Sequence, residues 1–244
     1  MAMYKKFLLP TIFLAAVCFN SIIAVAQENT LTTKEKQEGW QLLFDGKDLK
    51  GWHSYLLPKP GKAWQVEDGT IFLNKNDKSD YEDFTDITTD EEFENFDFKT
   101  EWKMDTCANS GIMFYVHESP EYKDTWVTGP EMQIDDLVCG PDHEHKMNRA
   151  GTLYDLIAVD SEYLKPAGEW NEYEIKADHG HLQLFENGHK VIDTHLWDDN
   201  WKKLVANSKF KDMPNFGTFQ KGHIAFQGTE NGKLWFRNIR IKKL

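Results

Sequence analysis

The octapeptide FKTEWKMD, residues 98–105, limits the fold more than any other feature of this chain. Phe98, Thr100, Trp102 and Met104 alternate with Lys99, Glu101, Lys103 and Asp105. A repeat of two is the pitch of a strand with one buried face and one wet face. NEYEIKAD repeats it, setting Tyr173, Ile175 and Ala177 against Glu172, Glu174 and Lys176. In HLQLFENGHKVID, Asn187-Gly188 lies between two apolar runs, the strongest short-range hairpin signal. The closing segments GHIAFQG and LWFRNIRIKKL predict a second hairpin turning through Asn231-Gly232. No helical stripe runs beyond two turns, and an acidic, turn-rich stretch from Glu82 to Asn95 is expected to connect the sheets. Short strands at this spacing predict an all-β sandwich of two packed antiparallel sheets. With no internal repeat, low-complexity linker or second boundary, residues 39–244 read as a single domain and 27–38 as a flexible lead-in.

Residues 1–26 stand apart. Lys5 and Lys6 precede an apolar run from Phe7 that ends in Ala24-Val25-Ala26, the order of a secretory signal peptide with a small-residue cleavage site. Cys18 suggests a lipoprotein signal instead, but Val17 fits the small residue expected before it poorly. No other apolar run approaches the roughly 18 residues that span a bilayer. The expectation is a soluble chain carried across the inner membrane to a periplasm, with no membrane insertion. Of 28 Lys and Arg, removing Lys5 and Lys6 leaves 26 against 40 acids, a net −14. That charge offers no footprint for nucleic acid. Cys107 and Cys139 remain after cleavage and pair as a disulfide or stay as two buried thiols. Nine Trp and eight Tyr serve either a sandwich core or stacking against sugar rings.

GPEMQIDD, residues 129–136, is unusual for a strand. It sends Glu131, Gln133 and Asp135 to one side, and Met132, Ile134 and Asp136 to the other. Side chains two apart on a strand are roughly 7 Å apart and four apart about 13 Å. A retaining glycosidase needs its carboxyls around 5 Å apart. This strand alone does not make such a pair, and Gln133 can be neither acid nor nucleophile. The row is either a solvated face or a surface that hydrogen-bonds something polar.

The loop CGPDHEHKMNRA follows directly. His143 and His145 flank Glu144, and imidazoles with a carboxylate such as Glu131 form a divalent-ion donor set. Either His serves equally as a general base. Arg149 anchors a hydroxyl or oxyanion, or is a plain surface cation. His179, His181, His189 and His195 lie on or beside hairpins and read as surface residues. There is no phosphate loop, dinucleotide fingerprint, Cys-x-x-Cys pair or nucleophile-elbow serine, so no nucleotide cofactor is expected.

GWQLLFDGKDLKGW (39–52), NSGIMFYVHE (109–118), TGPEMQIDD (128–136), RAGTLYDLI (149–157), GEWNEYEIKADHGHLQLFENGHKV (168–191) and FRNIRIKKL (236–244) together resemble the 3-keto-disaccharide hydrolase domain, a family abundant in exported Bacteroidetes proteins. The resemblance implies a concanavalin-like jelly roll. It also implies cleavage of glycosides whose C3 hydroxyl a partner oxidoreductase has made a ketone. The ketone acidifies the C2 proton, so a modest base yields an enolate that expels the C1 group, and water completes a net hydrolysis. Carried over, Glu131, Gln133 and Asp135 line the concave face with Tyr154 and Asp155 beside them. His143 or His145 supplies a base or ligand, and Trp126 and Tyr115 stack on the sugar or pack in the core. Many relatives carry an Asp-His pair before the final strand, where this chain reads FQGTENG. Two other functions suit a sandwich of this kind: an ordinary retaining glycoside hydrolase, and a non-catalytic carbohydrate-binding module.

Overall fold

The alternating segments form strands whose apolar rows meet in a shared interior. The computed structural model of the chain describes Met1 and residues 28–74, 80–229 and 232–244. The signal peptide expected over 1–26 therefore lies outside the described residues, as does Asn231 of the expected turn. In chain order the first elements are α1 (Thr33–Gln37), β1 (Trp40–Leu42), β2 (Trp52–Ser54), β3 (Trp64–Glu67), β4 (Thr70–Leu73), α2 (Tyr81–Phe84), β5 (Ile87–Thr89), β6 (Phe96–Met104), β7 (Asn109–Val116) and β8 (Glu131–Asp135). They are followed by β9 (Asn171–Asp178), β10 (His181–Glu186), β11 (His189–His195), α3 (Asp199–Ala206), β12 (His223–Phe226) and β13 (Leu234–Lys243).

Two antiparallel sheets result, the all-β jelly-roll sandwich that the strand pattern and the resemblance both called for. One runs β11-β10-β9-β6-β13-β4-β3, with β1 also on β13; the other runs β2-β5-β12-β7-β8. Phe96, Phe98, Trp102 and Met104 of β6 face Ile112, Met132, Ile134 and Phe226 of the smaller sheet within one core. Phe226 and Phe236 stack across the interface with centroids 4.1 Å apart. Each such ring removes a large apolar area from water, and that is what holds the layers together.

Three expectations change. The 222–228 and 234–244 segments are not a hairpin: β12 pairs with β5 and β7, whereas β13 pairs with β1, β4 and β6 in the other sheet. A Gly signals a reversal but not which sheet receives the returning strand. The acidic 82–95 stretch is more than a connector, since it contains β5. The lead-in is docked: Asn29 is buried, donates from its N to Asn238 Oδ1 at 2.6 Å, and accepts from Asn238 N at 2.9 Å.

The outer face of the smaller sheet positions the chemistry. One row crosses all five strands: Glu131 opposite Met113, Met113 opposite Ala225, Ala225 opposite Thr88, and Thr88 opposite His53. Met113 and Ala225, with Val116 and Tyr55, form a small buried apolar cluster in the middle of this face. The two ends of the row are polar. Four interstrand spacings separate them, about 19 Å.

Candidate functional site

The Glu131 end is built on β8. Met132 and Ile134 anchor the strand in the core, which turns Glu131, Gln133 and Asp135 outward. All three are nonetheless buried, so the row is not a solvated face. The segment after the polar loop covers it by adding to the free edge of β8. Gly151 N donates to Gln133 O (2.8 Å), Gln133 N to Thr152 O (3.1 Å) and Tyr154 N to Glu131 O (3.0 Å). This pairing sets Tyr154 and Asp155 beside the row.

Loop and strand converge through Asp142. Its Oδ2 accepts from Gln133 Nε2 at 3.1 Å and from the Tyr154 hydroxyl at 3.3 Å. Disulfide-bonded Cys107 and Cys139 hold the start of the loop, and Asp136 accepts from Cys107 N at 2.7 Å. The pairing left open in the sequence is therefore a disulfide.

Lys209 joins this end of the row from a distant part of the sequence. Its N donates to Asp155 Oδ2 at 2.6 Å, and its ammonium lies 4.0 Å from the Tyr154 ring centroid and 5.6 Å from that of Trp126. Burial lowers the Lys209 pKa, while the charges of Glu131, Asp155 and Asp142 oppose that. Burial raises the Glu131 pKa well above the carboxylate range; Lys209 counters this, and Asp86 and Asp142 reinforce it. Glu131 Oε1 has no hydrogen-bond partner. Asp86, just before β5, accepts from the Thr125 hydroxyl and, at 2.8 Å, from Gly228 N. Burial pushes it up to about 6 against those two bonds. The site thus holds a buried carboxyl pushed up to about 8, a half-buried second acid near 6 and the exposed ammonium of Lys209. Such groups can exchange protons and stabilise a developing negative charge.

The sequence candidates divide accordingly. Glu131, Gln133, Tyr154 and Asp155 come together, with Trp126 joined to them through Lys209. Asp135 lies at the other end of β8, where it accepts from Asn109 Nδ2 at 3.3 Å and burial pushes it up to about 6. His143 turns its Nδ1 to Gly140 O at 2.6 Å, and His145 is exposed. Neither meets Glu131, so the ion envisaged on His143, His145 and Glu131 has no assembled site. Among the described residues, Cys107, Asp136 and Cys139 are the trio whose candidate ligand atoms lie within 4.8 Å of one another, and the disulfide occupies both sulfurs. Arg149 is half-buried with an unpartnered Nε. Tyr115 is a core residue, 1% exposed and donating to Glu94 O at 2.6 Å, which excludes it from stacking on a sugar. Asp86, Asp142 and Lys209 went unselected because each lies in a charge-rich stretch that reads as ordinary surface.

Residues 39–242 match the family described as the 3-keto-alpha-glucoside-1,2-lyase-like domain. A Bacteroides thetaiotaomicron protein named 3-keto-disaccharide hydrolase is 30% identical over 254 residues, covering 94% of this chain and 87% of that protein. A crystal structure from Parabacteroides distasonis, provisionally assigned as a glycosyl hydrolase, is 32% identical with a TM-score of 0.81, covering 89% of this chain and all of that one. A second from the same organism, assigned alike, is 27% identical with a TM-score of 0.65, covering 84% of this chain and 99% of that one.

Proposed function

The chain belongs to the 3-keto-α-glucoside-1,2-lyase-like family of carbohydrate-active enzymes, and from that premise we propose that it is an exported enzyme cleaving the glycosidic bond of 3-keto-glycosides. The observation that carries the reading is the buried Glu131 carboxyl on the outer face of the smaller sheet, its Oε1 without a hydrogen-bond partner, with the Lys209 ammonium over the neighbouring Tyr154 ring.

Elimination needs three services: removal of the C2 proton, stabilisation of the enolate oxygen at C3, and a proton for the departing C1 oxygen. In our reading Asp86, ionised near neutral pH, takes the C2 proton. Lys209 faces the enolate oxygen. Glu131 gives its proton to the leaving oxygen as the C1–O bond breaks and the C1–C2 double bond forms. Water then adds across that bond, its oxygen to C1 and a proton to C2, for a net hydrolysis. Gln133 and Asp142 hold hydroxyls, and Trp126 offers an apolar face. In this reading a partner oxidoreductase supplies the ketone.

Export is supported by the signal-peptide pattern of residues 1–26 and by the disulfide, which suits an oxidising compartment. Among the described residues, no helix is long and apolar enough to cross a membrane. The test is incubation of the purified protein with a 3-keto-glucoside and with its unoxidised parent. Cleavage of the ketone alone supports the proposal, and cleavage of neither overturns it.

A further inference from the structure

The other end of the Glu131 row carries a constellation that the proposed elimination does not use. His53 of β2 and His223 of β12 face the same side of the sheet, their rings 6.0 Å apart and perpendicular at 89°. Glu118 reaches between them, its Oε2 2.7 Å from His53 Nε2 and 3.9 Å from His223 Nε2. Each ring is held by its opposite nitrogen. His53 Nδ1 is 2.7 Å from Asp90 Oδ1, and His223 Nδ1 donates to Thr89 O at 2.7 Å. Glu118 is oriented in turn, since its Oε1 accepts from Leu56 N at 2.7 Å. Leu56 adopts the left-handed region, φ 61°, to present that N–H.

We infer that His53, His223 and Glu118 form a binding site for a divalent first-row transition ion. Two independent features support this: the donor set and the partners of the opposite ring nitrogens. Two imidazole nitrogens and one carboxylate oxygen are the donor set of open zinc and related sites. Ligating histidines characteristically give their other N–H to a carboxylate or a backbone carbonyl, and here one does each. Ligands about 2.1 Å from a common ion at 90–110° lie about 3–3.5 Å apart. The two Glu118 contacts bracket that span, whereas the ligand atoms of the trio do not all lie within 4.8 Å of one another, so the two imidazoles must swing together to share an ion. An open bowl of about 590 Å³, lined by His53, Asp90, Glu118 and the apolar Leu56, Leu57 and Pro58, adjoins the trio. Water or an oxygen ligand entering the bowl would complete the coordination. Glu92, whose Oε1 is 3.8 Å from His223 Nε2, is a further oxygen within reach.

The inference does not depend on turnover. The full-length protein, stripped with a chelator and dialysed, is titrated with Co²⁺ and followed by visible absorption and thermal melting. One equivalent should bind, developing the d–d bands of a nitrogen- and oxygen-ligated ion and raising Tm. His53→Ala, His223→Ala and Glu118→Gln should each weaken binding at least 100-fold, and Asp90→Asn 10- to 100-fold as an outer partner. His143→Ala with His145→Ala should leave it unchanged. No saturable equivalent, or one lost with His143 and His145 but retained without His53, overturns the site. If His53→Ala fails to fold, the wild-type Co²⁺ spectrum and the Glu118→Gln titration decide between these outcomes.

Discussion

Gly111 has no side chain because the Glu131 carboxyl fills that space: a Cβ built on Gly111 would lie 1.7 Å from Glu131 Oε1. The two residues are near neighbours across the β7–β8 pairing. The missing side chain creates the niche in which Glu131 escapes water. Gly111→Ala should therefore expel the carboxyl, at a cost of about 1–3 kcal/mol for overpacking. A thermal melt should show a lowered but cooperative transition, while cleavage activity falls at least tenfold.

Glu131→Gln keeps the shape of the protonated acid and removes the proton it delivers. Activity should fall by about 10²–10⁴-fold, the usual contribution of a positioned acid or base. Melting at pH 7 should match or exceed wild type, because the amide has no charge to bury. Steady-state rates alongside a melt separate this result from simple unfolding.

Lys209→Met removes the cation but keeps the length and apolar stem of the side chain. Loss of one preorganised electrostatic group costs about 10²–10³-fold in kcat. The change should appear in kcat more than in KM, because the enolate charge exists only at the transition state. A loss confined to KM would reassign Lys209 to ground-state binding.

Glu186 supplies a pH dependence away from the site. It is fully buried at the end of β10, neither carboxyl oxygen has a partner, and burial pushes its pKa from 4.5 up to about 8. Between those values the folded chain keeps a proton that the unfolded chain has released. Stability from this group is therefore greatest below pH 4.5 and falls as pH rises to about 8, by about 1.4 kcal/mol per unit of pKa separation. Glu186→Gln should flatten that slope and be more stable than wild type at pH 8, as read by urea melts at pH 5 and pH 8.

The fold was legible because an alternation of two leaves strands little choice of inner face, as in Phe98 to Met104. The acidic row was legible for the same reason, and so was its neighbour Tyr154 through the family motif. Strand periodicity does not record which sheet a strand joins, so β12 and β13 looked like a hairpin. Nor does adjacency in a loop fix where side chains point: His143 and His145 flank one residue, yet Asp142 is the group that reaches the row. Lys209, Asp86 and the His53–Glu118–His223 trio come from distant segments with unremarkable neighbours, and the sheet register alone assembles them.

The central claim is that the C2–H bond breaks before the glycosidic bond. Turning over a 3-keto-glucoside in D2O and reading the released 3-keto-glucose by NMR, against a control without enzyme, tests it directly. The account predicts one deuterium at C2 in the product. Product that keeps its original hydrogen at C2, formed at the full enzymatic rate, would contradict it.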